Sequence, residues 1–348
     1  MRLSSYLAIL LMTVSIGCSK RALPDSAGSV NQTSPAQLSD RIFAVSYPLQ
    51  FLTQQIAGEE IEVLLPFDQS DDPRKLRPTR ETIESMQDSD LVIANGIGAR
   101  YAKWLAVVSL SESKIVNTAT RGLALRDYIQ TKGESIVHSH GPEGEHSHPV
   151  MAARTWLDPS LAKKQASYIA KQLKKTYPAR AEHFDQNLDG LQARLDELVA
   201  AMDPVGELAK EKLPIVYTAG SQFEFFARVA GFSIEPLKGF SQKNSDLSED
   251  ELLAAVKSQL LTKREAASGD GSELASNSIN GEKLKLVLID ERLRLSEDLS
   301  ALFLSHKIQP VRINTLDIPP ADGDYISTMK MNINRAVEAL ERSVTAAE

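Results

Sequence analysis

Four of the six histidines, His138, His140, His146 and His148, fall within residues 138–148, in a stretch broken by Gly141, Pro142 and Gly144. Neutral imidazole is the commonest nitrogen ligand for zinc, and two His-x-His pairs offer the four donors of a tetrahedral site. Each pair puts both rings on one side where its backbone is extended. A polar loop whose histidines serve only solubility is the plain alternative, but His is otherwise scarce, which favours metal capture. Ordering such a loop costs roughly 1–2 kcal/mol per residue, so the expected affinity is modest. Arg154, Thr155, Trp156, Leu157, Asp158 and Pro159 follow directly. No nucleophile, general base and orienting group fall together at a recognisable spacing, so the chain does not read as an enzyme.

The elements that must position this stretch alternate between strand and helix. Residues 41–46 (RIFAVS) read as a strand, 49–57 as a helix closed by Gly58, 61–65 as a strand, 80–87 as a helix, and 91–94 and 114–117 as strands. Short connections between them favour a parallel sheet covered by helices. Ligands of such sheets sit at the carboxyl ends of the strands, which places Tyr47, residues 66–74 and residues 95–98 on one rim. Asp158 followed by Pro159 is a helix start, an acceptor side chain before the residue that needs no amide donor; that helix runs to about Thr176.

From Pro178 to Met202 a second helix carries Phe184, Leu188, Leu191, Leu195, Leu198 and Met202 at spacings of four and three. They form one apolar stripe along roughly 37 Å. A coiled-coil partner or packing across the backs of two lobes of the same chain both account for it. His183 lies off the stripe and reads as solvated. Alternation then resumes, with strands at 214–218, 284–289 and 310–314 and helices at 223–230, 248–261, 297–305 and 325–342. Residues 264–283, rich in Ser, Gly, Asn and Ala, read as a mobile surface insertion. His306, near a helix end, reads as a dipole partner.

The start of the chain has a different character. Arg2, the apolar run Leu7–Ile16 and small residues before Cys18 read as a lipoprotein signal over residues 1–18 with lipidation at Cys18, plain secretion being the alternative. Cys18 is the only cysteine, so the mature fold has neither disulfide nor thiolate site. Residues 19–40 read as a flexible tether reaching roughly 25 Å. About 310 residues remain, enough for two lobes. A net charge of -7 without basic clusters argues against nucleic acid.

The order of these signals resembles the zinc and manganese solute-binding lipoproteins of bacterial ATP-binding-cassette importers. The matching pieces are Pro48-Leu49, Ile56-Ala57-Gly58, residues 90–96 (DLVIANG), the His-rich stretch, Trp156-Leu157-Asp158-Pro159, Tyr177-Pro178 through Asn187, Phe223 to Gly231, and Tyr325, Met329 and Asn332. The resemblance implies an α/β fold of two similar lobes, each a mostly parallel sheet flanked by helices, joined by one long rigid helix. The lobes would be 41–177, including the His-rich loop 133–149, and 204–348, with 178–203 linking them. It also implies zinc or manganese as transported ligand, a cognate permease and ATPase as partners, a monomer, and a periplasmic or cell-envelope location with the lipid on Cys18 as membrane anchor.

The same resemblance puts the family's cleft ligands on Arg74, Arg154, Gly220 and Asn314, none of which is a usual metal ligand. Arginine stays protonated and has no lone pair to give. Sliding the frame offers Asp71, Asp72, Glu224 or Asp317, but no histidine. Arg74 and Arg154 could bind an oxyanion, or pair with local acids such as Asp71, Asp72, Asp158 or Glu224 and close the site. Beside the metal receptor stand a relative repurposed for a small anion and a non-transport interaction or adhesion protein on the same scaffold.

Overall fold

The computed structural model describes residues 38–68, 77–98, 105, 108–139, 145–240, 247–269 and 283–342, with 132–139, 145–149 and 263–269 described by their backbone alone. In chain order the first lobe comprises β1 (Arg41–Ala44), α1 (Tyr47–Ala57), β2 (Glu62–Leu64), α2 (Arg80–Asp88), β3 (Leu91–Ala94), β4 (Ile115–Asn117), α3 (Thr118–Gly122), β5 (Gln130–Ser139), β6 (Glu145–Met151) and α4 (Pro159–Thr176). After it come α5 (Ala181–Ala201) and α6 (Asp203–Lys212). The second lobe holds β7 (Ile215–Thr218), α7 (Glu224–Val229), β8 (Ile234–Pro236), α8 (Glu249–Gly269), β9 (Lys285–Asp290), α9 (Glu297–Ser305), β10 (Ile308–Ile313) and α10 (Tyr325–Glu341).

The central strands β1, β3, β7 and β9 are largely apolar and buried, as strands covered on both faces must be. All of β3 (LVIA) and the middle of β9 (KLVLID) are buried. They build two parallel sheets, in the orders β2-β1-β3-β4 and β10-β9-β7-β8. Renumbering β7 to β10 as one to four and reading the second sheet backwards gives the order of the first. Each lobe therefore has the same switch point, between β1 and β3 in one and between β7 and β9 in the other, the place where sheets of this kind bind ligands.

Helix starts follow local chemistry. Thr79 accepts from the Thr82 amide at the head of α2, Ser296 from Leu299 at α9, and Asp324 and Ser327 bond each other's amides at α10. Asp158 accepts from the amides of Ser160 and Leu161 at the head of α4, whose first residue is Pro159. His306 closes α9, its Nδ1 3.0 Å from the Leu302 carbonyl.

The linking helix differs from expectation at both ends. A 3-10 turn occupies Pro178–Arg180, and helical backbone continues beyond Met202 into α6. Pro204 can supply no amide to the preceding turn, which bends the helix, but its fixed φ suits the first turn of α6 and lets the chain go on. The apolar stripe packs inside this chain. Phe184, Leu191, Leu195, Leu198 and Met202 are buried in a core shared with α1 and α4 of the first lobe and α10 of the second, and Leu188 lies against it. His183 is exposed, as its place off the stripe requires. Asn187 donates to the Ile56 carbonyl at 3.1 Å, tying α5 to the end of α1. Gly58 turns away there at φ +76°, and a Cβ on it would stand 2.7 Å from the His183 ring.

The stretch read as a His-rich loop holds an antiparallel ribbon, β5 with β6, in which residues 138 and 146 are Cα partners. Of the segment read as an insertion, 264–269 continue α8, and 270–282 lie outside the described residues. The signal and tether up to Gln37, Cys18 among them, also lie outside.

The stripe supplies a stability test. Leu195→Ala is expected to cost about 2–5 kcal/mol in urea unfolding, because Leu195 is wholly buried. Asp189→Ala on the exposed face should stay within about 0.5 kcal/mol of the parent.

Candidate functional site

At the first lobe's switch point, the carboxyl end of β3 delivers Asn95 into a buried polar cluster. Its Nδ2 donates to the Ala153 carbonyl at 2.6 Å, while its Oδ1 accepts from Gln165 of α4 and from the Thr155 hydroxyl. Gln165 also donates to Thr118 at 2.7 Å, and Thr118 to the Ala94 carbonyl. The cluster welds the turn 153–157 to the ends of β3 and β4. Arg154 is therefore carried on a fixed backbone.

The second lobe presents an equally fixed turn after β10. Asn332 of α10 donates to the Asn314 carbonyl and accepts from the Asn314 amide, and Thr315 donates to Asp290 at the end of β9. The Asn314 side chain is used inside this turn, its Nδ2 donating to Glu291 and its Oδ1 accepting from the Leu316 amide. Leu316 stands at φ +58°, and the next residue is Asp317.

The two turns meet. Arg154 Nε reaches Asp317 Oδ1 at 2.9 Å and Nη2 reaches Oδ2 at 2.6 Å, a two-pronged contact between residues 163 apart in sequence. Side-chain exposure is 18% for Arg154 and 8% for Asp317, so water screens the pair little. Around it, Trp156 Nε1 donates to the Thr315 carbonyl at 2.9 Å and the Tyr325 hydroxyl to the Trp156 carbonyl at 2.6 Å. Arg228 of α7 donates to Asp158 Oδ2 at 2.7 Å and to the Asp127 carbonyl. Asp158, considered above as a partner for a cleft arginine, thus joins a helix cap to Arg228. Tyr47, on the rim after β1, has its hydroxyl pushed up to about 12, first by burial, then by the charge of Asp324, with a backbone bond from Tyr325 opposing.

Of the residues singled out from sequence, Arg154 reaches this seam, and Asn314 shapes the turn that carries its partner. Gly220 lies in the loop after β7 at φ +108°, and Glu224 is buried in the first turn of α7. Arg74, Asp71, Asp72 and His140 lie outside the described residues, as do the side chains of His138, His146 and His148. Among the described residues no three His, Cys, Asp or Glu side chains converge as a metal site. The pairing of Arg154 with Asp317 is not readable from sequence, where the only signal is an acid after the last strand.

Comparison with known proteins places this geometry. The family model described as "ZnuA: Zinc-uptake complex component A periplasmic" matches residues 42–339. The chain is similar to the zinc-binding lipoprotein AdcA of Streptococcus pneumoniae, 24% identical over 69% of this chain and 44% of that protein. It is 29% identical to the high-affinity zinc uptake system protein ZnuA of Bacillus subtilis over 58% of this chain and 62% of that one. To the manganese ABC transporter substrate-binding lipoprotein PsaA of Streptococcus anginosus it is 26% identical, over 59% and 63%. The chain thus matches 44% to 63% of the length of these relatives. The fold is that of the metal-dependent lipoprotein YcdH from Bacillus subtilis, with TM-score 0.62, 21% identity, and 87% of this chain and 99% of that one covered. The Zn(II)-bound ZnuA-like domain of Streptococcus pneumoniae AdcA superposes with TM-score 0.60 at 19% identity, over 87% and 99%.

Tyr47 gives the seam a pH dependence. An unfolded tyrosine titrates near 10, so a group raised to about 12 on folding stabilises fully below pH 10 and loses that contribution as pH rises towards 12. Tyr47→Phe is expected to remove about 2–3 kcal/mol of the alkaline stability loss between those values, measured by urea unfolding at stepped pH.

Proposed function

Since the chain belongs to the ZnuA family, we propose that it is the extracytoplasmic solute-binding component of a metal-ion ABC importer, of the zinc class. The observation that carries this reading is the extent of the family match, which runs from β1 to α10 and so takes in both lobes and the linking helix. Such a protein captures and delivers and performs no catalysis; its partners are a cognate permease and ATPase. Zinc is preferred to manganese on donor chemistry, because imidazole suits zinc whereas manganese favours carboxylate, carbonyl and water oxygen. His138, His140, His146 and His148 are the proposed capture residues. Support comes from the ribbon register, which makes 138 and 146 partners, and from the extended backbone of β6 at 146 and 148. Residues 1–18 are proposed as the signal, Cys18 as the lipidated anchor and 19–37 as the tether of a monomer held at the cell envelope; the expected tether stops short of residue 40 because Ser39 is bonded to Asp90 and Asp40 to Arg180.

One observation favours a second reading, a member of the family whose cleft takes no metal. Arg154 gives both Nε and Nη2 to Asp317. The same engagement weighs against an oxyanion at Arg154, since the fork that would grip it is in use.

Two experiments test these proposals. Deleting Gly133 to Pro149 is expected to abolish most zinc binding by calorimetry and metal analysis of the form beginning at Ser19, while leaving the fold intact; unchanged stoichiometry and affinity would move the capture site elsewhere. Cys18→Ser should release the protein from the membrane to the soluble envelope fraction, because an acyl chain contributes about 0.8 kcal/mol per buried methylene. Persistent membrane association of that variant would remove the lipid anchor.

A further inference from the structure

Two lobes that share a helical spine and its apolar core are held at their facing turns by whatever bridges those turns. Here the bridge is supplied by the chain itself. Arg154 and Asp317 come from turns on opposite lobes and meet through two charge-assisted bonds of 2.9 and 2.6 Å. Neither turn is free to adjust. Arg154 is fixed by the Asn95–Ala153 and Asn95–Thr155 bonds, Asp317 by the Asn332–Asn314 and Thr315–Asp290 bonds. Trp156 and Tyr325 add neutral hydrogen bonds beside the pair, and Arg228 with Asp158 adds a second ionic bond between α7 and the head of α4. A guanidinium remains charged across the whole physiological range and cannot leave, so both oxygens of Asp317 face a permanent cation.

We infer that Arg154 is the built-in cation of the inter-lobe site: it latches the lobes shut on Asp317 without bound metal and determines specificity there by excluding divalent cations from that carboxylate. This rests on reading the chain as a two-lobed receptor. Closure in this member is then independent of cargo, and a metal would have to displace a fixed, hydrogen-bonded guanidinium to reach Asp317. The charge balance explains the choice of residue. A lysine would bring the same charge without the planar fork that uses both carboxylate oxygens.

The test uses the full mature chain in the presence of a chelator, comparing the parent with Arg154→Gln, Asp317→Asn and the double variant. Small-angle scattering and thermal unfolding are the readouts. Each single variant is expected to scatter as a more open molecule than the parent and to melt roughly 5–10 °C lower. The double variant should open to the same degree while losing less Tm than the two singles together, because the two halves of the Arg154–Asp317 pair are removed at once. Singles that scatter like the parent, or losses in Tm that simply add, overturn the latch. Should a single variant fail to fold, the double decides: folded and open supports the latch, while folded and compact, or unfolded, overturns it. All of this is read without metal, so the zinc result for the 133–149 deletion bears on the receptor reading alone, and the two can fail separately.

Discussion

A half-buried guanidinium and a buried carboxylate must find each other or destabilise the fold, and much of the structure around residues 154 and 317 serves that meeting. Taking either charge out of water costs several kcal/mol, a debt offset only where geometry is good and the remaining hydrogen-bonding capacity is used. The Arg154–Asp317 contact meets the first condition with two short bonds. Both residues stand on turns whose own polar groups are satisfied elsewhere, through Asn95 and Gln165 on one side and Asn332 and Asp290 on the other. Among the described residues the Ser46 hydroxyl alone is buried without a partner. Polar networks this complete fix one arrangement, because any shift leaves several donors unpaired at once.

The same constraint gives meaning to the helices behind. A bond between residues 163 apart needs its two turns held at a set distance, and α5 with α6 does this by sharing a continuous apolar core with both lobes. Leu191, Leu195 and Leu198 pack without gaps to solvent, so the back of the molecule is the rigid part. Pro204 bends the helix, and helical backbone nevertheless continues to Lys212. The polar seam and the apolar spine are complementary: the spine packs against both lobes, and the seam joins their turns through Arg154 and Asp317.

Membership of the ZnuA family and the chemistry of this seam pull in different directions. The family model is described as a zinc-uptake component. The seam holds an arginine where a cation would be welcomed by Asp317, whereas three of the four clustered histidines, His138, His146 and His148, stand on the backbone of the β5–β6 ribbon. The proposed reading reconciles the two by separating capture from closure: the clustered histidines would take up the metal, and the ion pair within the chain would hold the lobes without it.

Much of this architecture was legible in the residues. Continuous apolar runs such as LVIA in β3 and LVLI in β9 fix buried parallel strands, Asp158-Pro159 starts a helix, and the stripe from Phe184 to Met202 lies along one face, because each depends on neighbours within a few turns of chain. The β5–β6 ribbon, α6 and the short edge strand β8 were not read. Gly and Pro interrupt the alternation of the first, Pro204 masks the start of the second, and half-buried Ile234–Pro236 carries too little pattern for the third. Sequence also established that Arg154 could not ligate a metal, since that follows from the guanidinium itself. It could not say which acid answers Arg154, because local acids and distant ones look alike along a chain. Only the tertiary structure brings the turn after β10 against the turn before α4, and the choice of Asp317 follows from that closeness in space.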